Sequence, residues 1–222
     1  PSTPTKPAEA AAPTAPAAVG PHEPTPGVRM ERYVPYRRGR PLGTATDLPT
    51  AGSDPRARDA FCAIVLAEAP VRHDLALERL AGLYQVGRVT QRVLDQLDPV
   101  ARAVLDAGQV RLVDGVLWTT AQDPAAWRAF RTPTDEGAAA RSAEELPDVE
   151  IANAAAWILA QQLSLDVDDL LREVARLFGY ARLGSTVKAR MDVGLRALVA
   201  RGEAALDGRR ATIVEARRTA KS

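Results

Sequence analysis

Two stretches decide how this chain is read: IVLAEAPVRHDLALERLAGLY, residues 64–84, and ILAQQLSLDVDDLLREVARLF, residues 158–178. Slid by 94 residues they superpose without a gap. Ile64 falls on Ile158, Val71 on Leu165, Asp74 on Asp168, Leu77 on Leu171, Leu80 on Val174, Leu83 on Leu177 and Tyr84 on Phe178. Within each stretch the apolar residues recur at the three- and four-residue steps of an α-helix. The matched acids stand near the start of the second helix, where the positive end of the macrodipole favours them. A shared apolar register over two helices is more than shared composition, and it predicts an internal repeat.

Working outward, each copy is expected to hold three helices followed by a β-hairpin. In the first copy, residues 56–68 form a helix that ends before Pro70, and a second runs from Asp74 to Tyr84. A third follows Gly87 with Val89, Val93, Leu94 and Leu97 facing inward, and is expected to kink or restart at Asp98-Pro99. QVRLV, Asp114-Gly115 and VLWT then read as two strands around a tight turn. In the second copy the helices are expected over 149–162, 167–178 and 185–201, the last closed by Gly202. A second hairpin follows around Asp207-Gly208. The two Asp-Gly pairs stand 93 residues apart.

Helix, helix, helix, hairpin is the order of a winged helix. The fold class expected is therefore mainly α with small β hairpins: tandem winged helix-turn-helix repeats behind a disordered N-terminal linker. Residues 1–28, almost without large apolar side chains, are the Pro/Ala-rich linker. Residues 29–54 are an extended strap, 55–120 repeat one, 121–146 a connector, 147–215 repeat two and 216–222 a basic tail. Each repeat is of a size that folds alone with modest margin.

Composition narrows the function. Among 222 residues, 29 Lys and Arg oppose 28 Asp and Glu, a net formal charge of +1, which argues against a strongly basic nucleic-acid coat. The single cysteine, Cys62, excludes a disulfide framework or a Cys-rich zinc module and reads as a core thiol. His22 and His73 cannot by themselves make a three-histidine metal site. No apolar run approaches the roughly 18–20 residues of a membrane span, and residues 1–28 lack a signal-peptide pattern. The reading is a cytoplasmic chain with no membrane partner. Its start at Pro1, without Met, is expected of a C-terminal piece of a longer protein.

Several motifs resemble a bacterial family whose domain closes large proteins bearing a superfamily I helicase core and a Vsr-like restriction-endonuclease domain. Glu68-Ala69-Pro70-Val71 is similar to the family's Glu, small, Pro, aliphatic pattern. Residues 147–151, PDVEI, resemble its entry to the second repeat, and LFGYARLG, residues 177–184, resembles its most specific turn. VPY, residues 34–36, also fits, and the likeness spans about residues 32–206. Repeat one departs from the pattern: Ala69 stands where Gly is usual, and an Arg-x-Gly pair is missing after its second helix. The resemblance implies a DNA-related role beside helicase or nuclease domains of the same or a partner protein, with their chemistry lying outside this chain.

The residues point the same way. Between Arg182 and Arg201 stand Arg182, Lys188, Arg190, Arg196 and Arg201 against the single acid Asp192, a local +4. With Val187, Met191 and Leu195 inward, the helical period turns Ser185, Ala189, Asp192 and Arg196 outward, with Lys188 at their flank. Arg182, Ser185, Thr186, Lys188 and Arg196, with Arg209 and Arg210 on the second hairpin, are the candidate contacts to phosphates of double-stranded DNA. The same charges also suit a solvated helix end or a blocked strand edge. Arg88, Gln91 and Arg92 are weaker candidates, because Asp95 and Asp98 cancel them. Repeat one is expected to be structural or protein-binding.

Catalysis has no support in the sequence. There is no Gly-x-x-x-x-Gly-Lys loop, and lysine occurs only at positions 6, 188 and 221. Asp166, Asp168 and Asp169 crowd a helix start without an adjacent metal ligand, and Trp118, Trp127 and Trp157 read as packing residues. No metal or cofactor is expected. The function expected is a non-catalytic nucleic-acid-binding accessory module; the alternative is a winged-helix scaffold that docks proteins without touching nucleic acid.

Overall fold

The computed structural model describes residues 27–134 and 141–214. Most of the linker and all of the basic tail lie outside the described residues. The chain is helix-rich, with small sheets of two or three strands. After strand β1 (Arg29–Arg32) and a 3-10 segment (Ala45–Ser53), unit one comprises α1 (Pro55–Glu68), β2 (Val71–Arg72), α2 (His73–Leu83), α3 (Gln91–Asp106), β3 (Val110–Val113) and β4 (Val116–Thr119). Strand β5 (Ala129–Thr132) and a 3-10 turn (Ala143–Glu145) lead into unit two. It comprises α4 (Asp148–Gln162), β6 (Ser164–Asp166), α5 (Val167–Leu177), α6 (Ser185–Ala200), β7 (Ala204–Asp207) and β8 (Arg210–Ile213).

The offset of 94 residues extends well beyond the two stretches that suggested it. Helices α2 and α3 recur as α5 and α6, and β3 and β4 as β7 and β8, with both ends displaced by the same 94 positions. The sheets repeat as well, in the orders β2-β4-β3 and β6-β8-β7. Val71 pairs with Leu117 and Leu165 with Ala211 in the same register. The hairpins therefore carry a third strand, two or three residues long, which periodicity could not show because so short a run contains no period.

The hairpin turns explain why the Asp-Gly pairs are 93 rather than 94 apart. Val113 pairs with Val116, so Asp114 (φ 50°) and Gly115 (φ 74°) are the two central residues, as a type I′ turn requires. Asp207 pairs with Arg210, which makes Gly208 (φ 57°) and Arg209 the central residues. Positive φ falls only on the first of them, a type II′ turn, for which glycine at that place is the natural residue. The second turn is thus not Asp207-Gly208: Asp207 belongs to the strand, and Arg209 moves to the tip.

Pro99 does not restart α3, which runs unbroken over 16 residues with Pro99 inside it. The amide that proline lacks would have bonded the carbonyl of Asp95, an exposed residue that water can serve. Each unit keeps its own core. Phe61, Ile64, Leu80, Leu97 and Val104 centre the first; Ile151, Leu159, Leu170, Met191 and Leu198 centre the second. Strap residues Leu48 and Ala51 are buried in the first core. Trp118 packs edge-on to Trp127, and Phe130 to Trp157. Cys62 is half-buried at the edge of the first core, its thiol donating to Gln109 Oε1 at 3.4 Å.

The strap and the connector are more than spacers. Strands β1 and β5 pair in parallel, Arg29 with Ala129 through Arg32 with Thr132. Beside this pair the two units meet in a buried ionic cluster. The Glu150 carboxylate, fully buried on α4, accepts from Arg141 Nη1 and Nη2 at 2.9 Å each and from the Arg131 backbone amide at 2.9 Å. The Arg131 guanidinium also pairs with Glu150 and reaches back to unit one, donating to the carbonyls of Glu68 (2.7 Å) and Pro70 (2.6 Å). Glu68 in turn accepts from Tyr33 Oη at 2.6 Å, the Tyr36 amide at 2.8 Å and Arg79 Nε at 3.2 Å. Arg141 stacks 4.3 Å over the Tyr33 ring, and its carbonyl accepts from Tyr180 Oη at 2.6 Å.

Burial alone would raise the Glu150 pKa, but the Arg131 and Arg141 guanidiniums outweigh it and hold the carboxyl at about 2. Burial pushes Tyr33 up to about 12, helped by its bond to Glu68. The motifs EAPV, PDVEI, LFGYARLG and VPY each supply a residue to this junction (Glu68, Glu150, Tyr180, Tyr36), so part of each shapes the joint between the units.

Candidate nucleic-acid interface

Helix α6 sets the geometry of the candidate face. Met191, Leu195 and Leu198 are buried against unit two, while Gly194 lets α6 approach α4 closely: a Cβ there would lie 2.3 Å from Cβ of Ile151. The opposite side carries Ser185, Thr186, Lys188, Ala189, Val193 and Arg196, all exposed. Arg182 is exposed just ahead of the helix. The N-cap is Gly184, which has no side-chain acceptor to give, so the first-turn amides of α6 lack side-chain capping. The outward face expected from the 3.6-residue period is the one observed, except that Asp192 is half-buried.

The charges are distributed otherwise than the sequence count implies. Arg190 is turned to the carbonyl of Leu146 and the carboxylate of Asp148. Arg201 donates to Asn153 Oδ1 at 3.0 Å and pairs with Glu203. Both leave the face. Of the cations that remain, Lys188 Nζ lies 2.7 Å from Asp168 Oδ1, and Arg196 Nε 2.8 Å from Asp192 Oδ2 one helical turn away. Arg209 Nε lies 3.6 Å from Asp166 Oδ2, and Arg210 Nε donates to Ser164 Oγ at 3.1 Å.

Lys188 on α6 and Arg209 at the hairpin tip therefore converge on the start of α5. Asp168 responds to both: the hydrogen bond and charge of Lys188 hold its carboxyl below the usual carboxylate range, with Arg209 adding to the effect. Asp166 is the N-cap of α5, its carboxylate accepting from the Asp168 amide at 2.9 Å. A shallow recess of about 420 Å³ opens beside them, lined by Ser164, Asp166, Asp169, Asp207, Arg209 and Arg210. The sequence pattern picks out the cations but not Asp166 and Asp168 as their partners. The only hint of these is their crowding at a helix start.

In unit one the weaker candidates Arg88, Gln91 and Arg92 are exposed, but Gln91 Nε2 is held by Asp95 Oδ1 at 2.9 Å. Positions matching Lys188, Arg209 and Arg210 hold Leu94, Gly115 and Val116, so no comparable cationic cluster forms there. Among the described residues no group of three or more His, Cys, Asp or Glu could hold a metal ion, and no helix is long and apolar enough to cross a membrane. Comparison with known protein families, with curated proteins and with solved structures finds no match.

Proposed function

We propose that the chain is a non-catalytic tandem winged-helix module that contacts double-stranded DNA through its second unit. In each unit the order helix, strand, helix, helix, strand, strand, with the last strand central in the sheet, supports this reading because it is the order of a winged helix. In a winged helix the third helix lies against a groove and the hairpin tip against the backbone. The observation that carries the reading is the convergence of Lys188 and Arg209: helix and wing bring cations to one point, beside the uncapped amides of α6. Arg182, Ser185, Thr186, Arg196 and Arg210 are the further contacts to phosphate in this reading. The motif resemblance supports a place beside helicase or nuclease domains.

The second reading, docking of a protein partner, is favoured by a different observation. Lys188, Arg196 and Arg209 each face a carboxylate, a face of mixed charge, and Val193 on α6 and Leu206 on β7 are exposed. One titration separates the two. Changing Arg182, Lys188 and Arg196 together to Ala should weaken binding to a fluorescent DNA duplex. It should also flatten the salt dependence by about 0.9 in log–log slope for each phosphate that the variant no longer neutralises. An unchanged anisotropy titration, or a wild-type chain that does not bind at low salt, overturns the DNA assignment and leaves docking.

A further inference from the structure

We propose that Asp166 and Asp168 hold the cationic site of unit two closed, their carboxylates occupying the places that two backbone phosphates take when nucleic acid binds. The inference rests on the DNA-contact reading and adds a regulation to it. Its basis is a comparison of the two units within one chain. In unit one the acid at the start of the second helix, Asp74, is neutralised locally: Arg72, two residues earlier, donates to it at 2.7 Å. In unit two the residue matching Arg72 is itself an acid, Asp166. Two carboxylates then stand two residues apart, with Asp169 following, and Asp168 lacks the hydrogen-bonding arginine that Asp74 has; Arg172, on the same helix, is paired with Asp169 and reaches Asp168 only through its charge.

The cations that replace it come from the candidate face: Lys188 from α6 onto Asp168, and Arg209 from the hairpin tip onto Asp166. Their unit-one counterparts are Leu94 and Gly115, which could do neither. The acid pair and the cation pair thus occur together in unit two and are absent together from unit one. Both ion pairs are solvent-accessible, so opening them returns the carboxylates to water at little cost, and an incoming phosphate can exchange for them. Arg172, paired with Asp169, and Asp207 in the adjacent recess complete the charges around the exchange.

The test is the double change Asp166→Asn with Asp168→Asn in the full chain. Asn keeps the N-cap acceptor at position 166, so the fold is retained. Removing two exposed ion pairs that compete with phosphate should tighten binding to a DNA duplex about 2- to 30-fold at low salt and steepen the salt slope. A control of equal charge, Asp59→Asn with Asp106→Asn on exposed sites of unit one, should give a smaller gain. Adding Lys188→Ala and Arg209→Ala to the first pair should abolish the gain. If the Asn pair binds no tighter than the control, while the Arg182, Lys188, Arg196 triple variant still weakens binding, the closed site is overturned and DNA contact stands. If the wild-type chain does not bind DNA at low salt, both fall.

Discussion

Gly194 offers a quantitative test of how the two units diverged around one packing plan. It is buried on α6 against Ile151 of α4, and a Cβ added there would lie 2.3 Å from both Cβ and Cγ2 of Ile151 and 3.3 Å from the Ala152 amide nitrogen. The matching positions of unit one hold Val100 and Ala57, both fully buried. Across the same helix pair the bulk has changed sides: Val with Ala in unit one, Gly with Ile in unit two. The two exchanges involve the same number of carbons.

Gly194→Val alone should cost about 1–3 kcal/mol or more, since Ile151 meets it with carbons next to the backbone that cannot swing away. Ile151→Ala alone should cost about 2–5 kcal/mol as a cavity. Installing both transplants the unit-one solution, and a volume-conserving swap should cost less than about 1.5 kcal/mol. The singles would then be coupled by about 1.5 kcal/mol or more in the favourable direction. Gly194→Ala provides a second check. Helix propensity favours Ala by about 1 kcal/mol, yet the steric clash with Ile151 should make the variant less stable than wild type. Urea unfolding followed by far-UV circular dichroism measures all four. A double variant no more stable than the sum of the singles, or a stabilising Gly194→Ala, would refute the close approach of α6 to α4.

Two predictions concern the buried junction. Glu150→Gln leaves the Arg131 and Arg141 guanidiniums buried without their carboxylate and should cost about 3–5 kcal/mol in the same urea assay. With its folded pKa near 2 against an ordinary 4.5, Glu150 takes up a proton in the unfolded chain first. Its contribution, on the order of 3 kcal/mol, is present above about pH 4.5 and lost as pH falls toward 2; Glu150→Gln should lack that acid slope. Burial also holds Tyr33 and Tyr180 at about 12 against the usual 10, so they favour the folded chain below pH 10 and lose that contribution as pH rises toward 12. An ultraviolet phenol titration of the folded chain should show phenol ionisation still incomplete well above the usual 10; completion of ionisation near that value would contradict the burial of these two.

How much was legible depended on whether a residue's role is local. Leu77, Leu80 and Leu83 announce a buried helix face through spacing alone, and their partners Leu171, Val174 and Leu177 announce the copy. Asp114-Gly115 announces a turn because φ is set within two residues. Asp207-Gly208 misled by one position, since which residue of the pair is central depends on the register with β8, a cross-strand matter. The outward face of α6 was legible from its period. Its electrostatics were not, because Asp166 and Asp168 lie on another element and reach Lys188 and Arg209 only after folding.

By itself, then, the sequence determined two copies of one helical plan at a constant offset, the faces those helices bury and the candidate cations of the second copy. Such features follow from backbone geometry acting over a few residues. Only the tertiary structure decided that strands of two or three residues complete each sheet and that the strap and connector pair as β1 and β5. It also decided that Glu68, Arg131, Arg141 and Glu150 fasten the units together. And it decided which charges remain on the surface of α6: a charge acts through space, and Arg190, Arg201, Lys188 and Arg209 each acquired a partner far away in the chain.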